Sequence, residues 1–183
     1  MKKIVFLDRS TFPKRILIPK LKFKNKWKNY AFTEQNQIAK RIRDANVIVT
    51  NKTKLTQNEL KEARFLELIA ITATGTNIID INFCRKNNIK LCNLQNYAST
   101  SVAEHVFTLT LNLIKQIKGL GNDINTETWQ RKKVFALLDR SIEDLNGKTI
   151  GIIGKGAIGK QVAKISKAFN MKVNFFSVRG YKR

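Results

Sequence analysis

Short apolar runs recur along the first half of the chain, separated by stretches with helical spacing. Lys3 to Asp8 reads as a strand around Ile4 to Leu7, and Val47 to Thr50, Leu68 to Thr72 and Ile89 to Cys92 read as three more. Between the first two, Thr33-Glu34 opens a helix that carries Ile38, Ile42 and Ala45 toward a core. Thr56 is placed to cap a helix bearing Leu60, Ala63 and Leu66, because Glu59 three residues on completes a capping box. Asp80 starts a further helix. This alternation predicts a parallel sheet with helices on both faces and a ligand site outside the carboxyl ends of the strands, where Thr74 and Gly75 fall. Pro13 to Tyr30 breaks the pattern. It is lysine-rich with scattered aromatics, including Trp27 and Tyr30, and predicts an irregular surface segment pinned by those rings; the same mix could stack bases.

The second half opens with the longest helical pattern, Ser101 to Ile117, apolar over much of its circumference through Val102, Val106, Leu109, Leu111, Leu113 and Ile114. So much apolar surface predicts burial between domains or subunits. Gly119 and Gly121 are expected to end that helix, Asn122 to Leu138 to form a loop around Trp129, and Leu145-Asn146-Gly147 to turn the chain. Thr149 to Ile153 is then a β-branched strand, followed by Gly154, Gly156 and Gly159 in a G-x-G-x-x-G arrangement. A helix through Val162, Ala163, Ile165 and Phe169 and a second strand, Val173 to Val178, complete a βαβ unit. Glycines at this spacing allow a tight turn, close approach of backbone to a pyrophosphate, and close helix-on-strand packing. The end of the second strand is where an acidic residue would hold the ribose of NAD, and Ser177 stands there, followed by Arg179. With Lys182 and Arg183 nearby, a 2′-phosphate could be neutralised instead, so NAD and NADP are both open.

Composition adds one question. The 183 residues are 43% hydrophobic, ordinary for a globular protein, but the formal net charge is +22. Residues 1 to 43 hold 13 Lys and Arg against 2 acids, residues 44 to 130 hold 9 against 8, and residues 131 to 183 hold 13 against 3. Two basic ends raise the alternative of a nucleic-acid-binding module that keeps the fold. The accompanying richness in Asn and Ile is what a genome biased toward A and T produces, and that origin is preferred. No run approaches the roughly 18 apolar residues of a membrane span, and Met-Lys-Lys leads into a strand and not a signal-peptide core, so a cytoplasmic protein is expected. Cys84 and Cys92 have no metal-ligand spacing and lie on elements that look half buried, as packing residues do.

Two stretches, "ITATGTNIIDINFCRKNNIKLCNLQNYASTSVAEHVFTLTLNL" from Ile71 to Leu113 and "LNGKTIGIIGKGAIGKQVAKISKAFNMKV" from Leu145 to Val173, resemble the D-isomer-specific 2-hydroxyacid dehydrogenases. Within them they are similar to the glycerate dehydrogenase and hydroxypyruvate reductase group. The resemblance implies an α/β protein with a flavodoxin-like, parallel-sheet substrate domain over residues 1–100. Residues 101–183 would be the long interdomain and dimer helix followed by the first βαβ unit of a Rossmann domain. It implies an NAD- or NADP-dependent oxidoreductase, a small 2-oxo or 2-hydroxy acid substrate, and a homodimer. By the same resemblance the Thr74 and Gly75 amides bind the substrate carboxylate, Val102 faces the nicotinamide, and Ala157 and Ile158 offer amides to the pyrophosphate. Gly154, Gly156 and Gly159 shape that turn, and Ser177 and Arg179 meet the ribose. The family's catalytic Arg, carboxylate and His come later than Arg183, so an incomplete and inactive chain is expected. His105, the sole histidine, and Glu104 are expected to be structural residues on the long helix, His105 being buried there.

Overall fold

In a computed structural model, residues 1–18 and 20–176 are described, and the chain divides into two compact units, Met1–Gln95 and Asn96–Arg183. The first is built on five parallel strands, β1 (Lys2–Phe6), β2 (Asn25–Asn29), β3 (Val47–Thr50), β4 (Leu68–Ile71) and β5 (Lys90–Asn93), in the spatial order β2-β1-β3-β4-β5. That is the flavodoxin-like order. Ile4 pairs with Trp27 on one side and Val47 on the other, and Ile48 pairs with Ile69, so the most apolar strands are central.

Three short helices, α1 (Ile38–Ile42), α2 (Gln57–Leu60) and α3 (Ile81–Lys86), supply Ile38, Ile42, Leu60 and Cys84 to a core shared with Val5, Ile48 and Ile69. The three crossovers that carry them all run rightward across the sheet, and right-handed crossovers then place their helices on one face. The β1-to-β2 connection runs the other way. Its Phe12 and Ile18 pack on the opposite face with Ile4, Phe6 and Val49. Helices on both faces were expected; in this unit the second face is covered by an irregular segment with one 3-10 turn, Arg9–Thr11.

The segment Pro13 to Tyr30 departs from expectation in its last third. Asn25–Asn29 is a strand, and Trp27 pins it by packing against the cluster of Ile4, Phe6 and Val49, as a surface aromatic was expected to do. The capping box at Thr56 forms, with the Thr56 N–H donating to Glu59 at 2.8 Å. Thr33 does not open the helix: Glu34 caps a 3-10 turn, and the Thr33 hydroxyl donates to the Leu7 carbonyl instead. Cys84 is buried, which pushes its thiol pKa up, with the Asp80 charge adding to the effect. Cys92 is exposed and is not a packing residue within this chain.

The second unit starts with the longest helix, α4 (Ser99–Ile114). It ends without a glycine. Gln116 adopts left-handed φ of 53°, and the chain re-enters helix as α5 (Ile117–Asn125), then α6 (Thr128–Lys132). Gly119 and Gly121 therefore lie inside a helix, and the stretch expected to be a loop is largely helical. A Cβ at Gly119 would fall 2.5 Å from the Arg140 Nη1, the movable end of a long side chain. Arg140 grips Asp123 of α5 through its Nε and Nη2, at 2.7 and 3.0 Å. Two parallel strands, β6 (Thr149–Ile153) and β7 (Lys172–Phe176), flank α7 (Ala157–Ala168). Ala103 and Phe107 of α4 pack with Leu145 and Val162, and Phe107 stacks on Phe169 at 5.4 Å. Among the described residues no helix is long and apolar enough to cross a membrane.

Candidate functional site

Each unit presents a turn at the carboxyl end of its parallel strands. In the first, the Thr72 N–H and hydroxyl both donate to the Thr50 carbonyl, at 2.9 and 3.3 Å. Beyond it the carbonyls are taken: Leu94 N–H donates to Ala73 O at 3.1 Å, and the Asn93 side-chain amide donates to Thr74 O at 2.7 Å. The N–H groups differ. Among the described residues no hydrogen bond uses the amide of Thr74 or of Gly75, and both residues are exposed. Two neighbouring free N–H dipoles at a strand end are an anion site suited to a carboxylate.

The loop beside this turn is organised by a residue that the sequence pattern leaves as a plain strand terminus. Asp8 is only 3% exposed, and its carboxylate accepts from the N–H groups of Asn51, Lys52 and Thr53 at 2.6 to 3.0 Å. The hydroxyls of Thr50 and Thr53 add donors at 3.0 and 3.1 Å. A buried carboxylate needs such a shell. The result is that the ends of β1 and β3 are locked together, next to β4 and its free amides. The only signal in the sequence is an acid closing the apolar run Ile4 to Leu7, which hydropathy alone reads as a strand end.

The second turn runs from β6 into α7. Gly154 has φ of +101°, a left-handed conformation that favours glycine, and its N–H donates to Phe176 O at 2.7 Å. Gly159 is buried where a Cβ would lie 2.2 Å from the Gly154 carbonyl and 3.2 Å from Ile152 Cγ2, so only glycine lets α7 sit this close to β6. Gly156 is the N-cap, with nothing within 4 Å of the place its Cβ would occupy, and no side chain caps the helix. The amides of Ala157, Ile158 and Gly159 are the first of the helix and have no intrahelical acceptor. Open space in front of uncapped amides fits a pyrophosphate.

The remaining candidates are placed as follows. Val102 is 37% exposed on α4, beside buried Ala103. His105 and Glu104 are both exposed on the same helix, so His105 is not buried as the apolar pattern suggested; the buried stripe of α4 is narrow and runs through Ala103 and Phe107. Ser177 and Arg179 lie outside the described residues. They follow Phe176, which pairs with Ile153, so β7 ends level with the glycine turn of β6.

A flavodoxin-like sheet joined in one chain to a βαβ unit with a glycine turn at its helix start defines an α/β protein. The family model for the catalytic domain of D-isomer specific 2-hydroxyacid dehydrogenases matches residues 14–174, and the chain belongs to that family. A Haemophilus influenzae protein assigned to the 2-hydroxyacid dehydrogenases is 38% identical over 93% of this chain and 54% of its own length. The glycerate dehydrogenase of Methylorubrum extorquens is 36% identical over 97% of this chain and 56% of its own. The chain thus spans about half the length of the curated relatives it matches. Among solved structures, D-lactate dehydrogenase from Aquifex aeolicus complexed with NAD and lactic acid superposes with a TM-score of 0.70 at 26% identity, covering 98% of this chain and 52% of that one.

Proposed function

We propose that the chain provides the carboxylate-binding and pyrophosphate-binding parts of an NAD(P)-dependent oxidoreductase acting on a glycerate- or hydroxypyruvate-like acid. The observation that carries this reading is the open, uncapped helix start at Gly156. The Ala157 and Ile158 amides hold the pyrophosphate there, Gly154 and Gly159 shape the turn, and Val102 borders the nicotinamide. The Thr74 and Gly75 amides hold the substrate carboxylate. A nicotinamide held beside Val102 would supply or take the hydride. Residues 1–100 act as the substrate part and 101–183 as the nucleotide part. Ser177 and Arg179 favour a 2′-phosphate at the ribose, so NADP competes with NAD. Leu109 and Leu113, 53% and 75% exposed on α4, support the expectation of a homodimer through that helix.

Hydride transfer to a 2-oxo acid also needs a positioned proton donor, worth about 100- to 10,000-fold. His105 projects from α4 into solvent and is not assigned that role. Purified residues 1–183 are therefore expected to show no hydroxypyruvate- or glyoxylate-dependent oxidation of NADH or NADPH above background, and robust turnover lost in His105→Ala would reverse the assignment.

The binding reading is tested by fluorescence titration with NADH and NADPH. Gly156 has φ of −77° and ψ of −171°, extended geometry that any residue adopts. Gly156→Asp therefore adds a favourable N-cap carboxylate while placing negative charge where the pyrophosphate sits. Its melting temperature should hold or rise while nucleotide affinity falls at least about tenfold; undiminished affinity would remove the phosphate from this turn. Ser177→Asp should shift preference toward NADH, and an unchanged ratio would place Ser177 away from the ribose.

A further inference from the structure

The first unit carries a second feature remote in sequence from both turns. Between the β1–β2 pair and α1 lies a cavity of about 240 Å³ whose lining includes Lys3, Lys26, Lys28, Lys40 and Arg41. One acid, Asp44, is present, 3.4 Å from the Lys3 ammonium. Among the described residues Lys26, Lys28 and Lys40 have no ion-pair partner.

The strand register explains how the cations converge. Lys3 pairs with Lys26 and Val5 with Lys28, while Ile4 pairs with Trp27, and side chains alternate between faces along each strand. Ile4 and Trp27 pack on the far face, and Val5 packs in the core that holds Ile38 and Ile42. Lys3, Lys26 and Lys28 therefore share the α1 face. Like charges directly opposite are destabilising in a sheet, and a parallel sheet ordinarily covers such a face with apolar residues. Lysines on an edge strand do discourage edge pairing. That accounts for Lys26 and Lys28 but not for Lys40 and Arg41, which reach the same cavity from a helix.

Tyr30 orders one wall. The Arg41 guanidinium lies 3.9 Å from the centre of its ring and the Lys28 ammonium 5.3 Å. Arg41 spends only Nη1 on the protein, donating at 2.6 Å to Phe32 O and to the Thr33 hydroxyl, and its other N–H groups have no acceptor among the described residues. A stacked guanidinium with donors to spare is a preorganised oxyanion ligand.

We propose that this cavity binds a compact oligophosphate, with Lys26, Lys28, Lys40 and Arg41 as its ligands. A single carboxylate could not neutralise cations spread over two strands and a helix. The walls formed by Tyr30 and α1, and the small volume, suit a short phosphate chain better than a nucleic-acid backbone. The site is independent of the oxidoreductase reading.

The test is calorimetric titration of the full chain with tripolyphosphate at 0.15 M NaCl, with amide chemical shifts followed in parallel. Saturable binding should weaken at least about tenfold in Lys28→Gln/Lys40→Gln. It should survive in Lys28→Arg/Lys40→Arg and in Lys20→Gln/Lys22→Gln, whose lysines lie outside the cavity. Shifts should centre on residues 26–30 and 40–44. Absence of saturable binding, equal loss in the Lys20/Lys22 variant, or shifts confined to residues 154–159 would each overturn the proposal. So would displacement of tripolyphosphate from residues 26–44 by a DNA oligonucleotide at lower concentration, which would make the ligand nucleic acid.

Discussion

The two sheets of this protein are written in the same β-α-β grammar and reach opposite degrees of burial. In the first unit Ile48 and Ile69, on central strands, are 0% exposed; in the second, Ile153 and Phe176, at the ends of β6 and β7, are 79% and 57% exposed. The cause is the number of layers around each strand. β3 has a strand on either side and helices on its Ile48 face, whereas β6 pairs among the described residues with β7 alone. Ile150 and Ile152 face α4 and α7, and the alternate positions Thr149, Gly151 and Ile153 are bare. Parallel strands are stable when both faces are covered, so the first unit is the more stable of the two.

Hydrogen exchange should give the largest contrast. Amides of β3 and β4 should exchange about a thousandfold more slowly than those of β6 and β7, a gap of roughly 4 kcal/mol in opening free energy. Equal protection would mean that something covers the bare face of β6, through self-association for example, and a dilution series would expose that.

Next come two substitutions that should each damage one unit only. Gly159→Ala forces a methyl against the Gly154 carbonyl, a backbone atom that cannot swing aside, and should cost about 3 kcal/mol while abolishing nucleotide binding. Asp8→Ala strips the buried acceptor from three backbone amides and two hydroxyls and should cost about 3 kcal/mol in the first unit. Urea unfolding followed by Trp27 and Trp129 fluorescence assigns each loss to its unit. A Gly159→Ala loss reported by Trp27 would mean that the units unfold together.

The smallest effect concerns Glu59. Burial raises its pKa, but hydrogen bonds from the Thr56 hydroxyl, the Gln35 side chain and the Thr56 N–H outweigh that and hold it below the ordinary carboxylate value. A depressed folded-state pKa contributes stability that is present above the unfolded value, near pH 4.3, and is lost as pH falls through the folded value. Glu59→Gln should flatten that part of the acid limb by less than about 1 kcal/mol, leaving stability at pH 7 little changed. An unaltered acid profile would show that the capping box does not titrate with folding.

Much of this was legible before any coordinates. The apolar runs at Ile4, Val47, Leu68 and Thr149 are strands because β-branched residues at those spacings have few other ways to be buried. The Thr56 cap and two of the glycines carry their geometry in their own chemistry: a hydroxyl and a carboxylate three residues apart, a left-handed φ at Gly154, and no room for a Cβ at Gly159. The alternation of apolar runs and helical spacing put Thr74 and Gly75 at a strand end where a ligand is expected, and resemblance to the family added the carboxylate as the group their amides would meet.

What stayed hidden depended on neighbours distant in sequence. Asn25-Lys26-Trp27-Lys28-Asn29 reads as a polar surface run and becomes a strand only because β1 offers it an edge to pair with. Gln116 breaks the long helix with nothing in its side chain to announce it, and Gly119 and Gly121 sit within α5 and do not end a helix. Asp8 is an ordinary acid until three amides from the β3 loop converge on it. Local sequence determines a residue's preferred backbone and whether it wants water, because those are properties of one side chain and its near neighbours. Which hydrogen-bond donors meet an acid, and which apolar face goes uncovered, is decided only when separate segments compete for the same space.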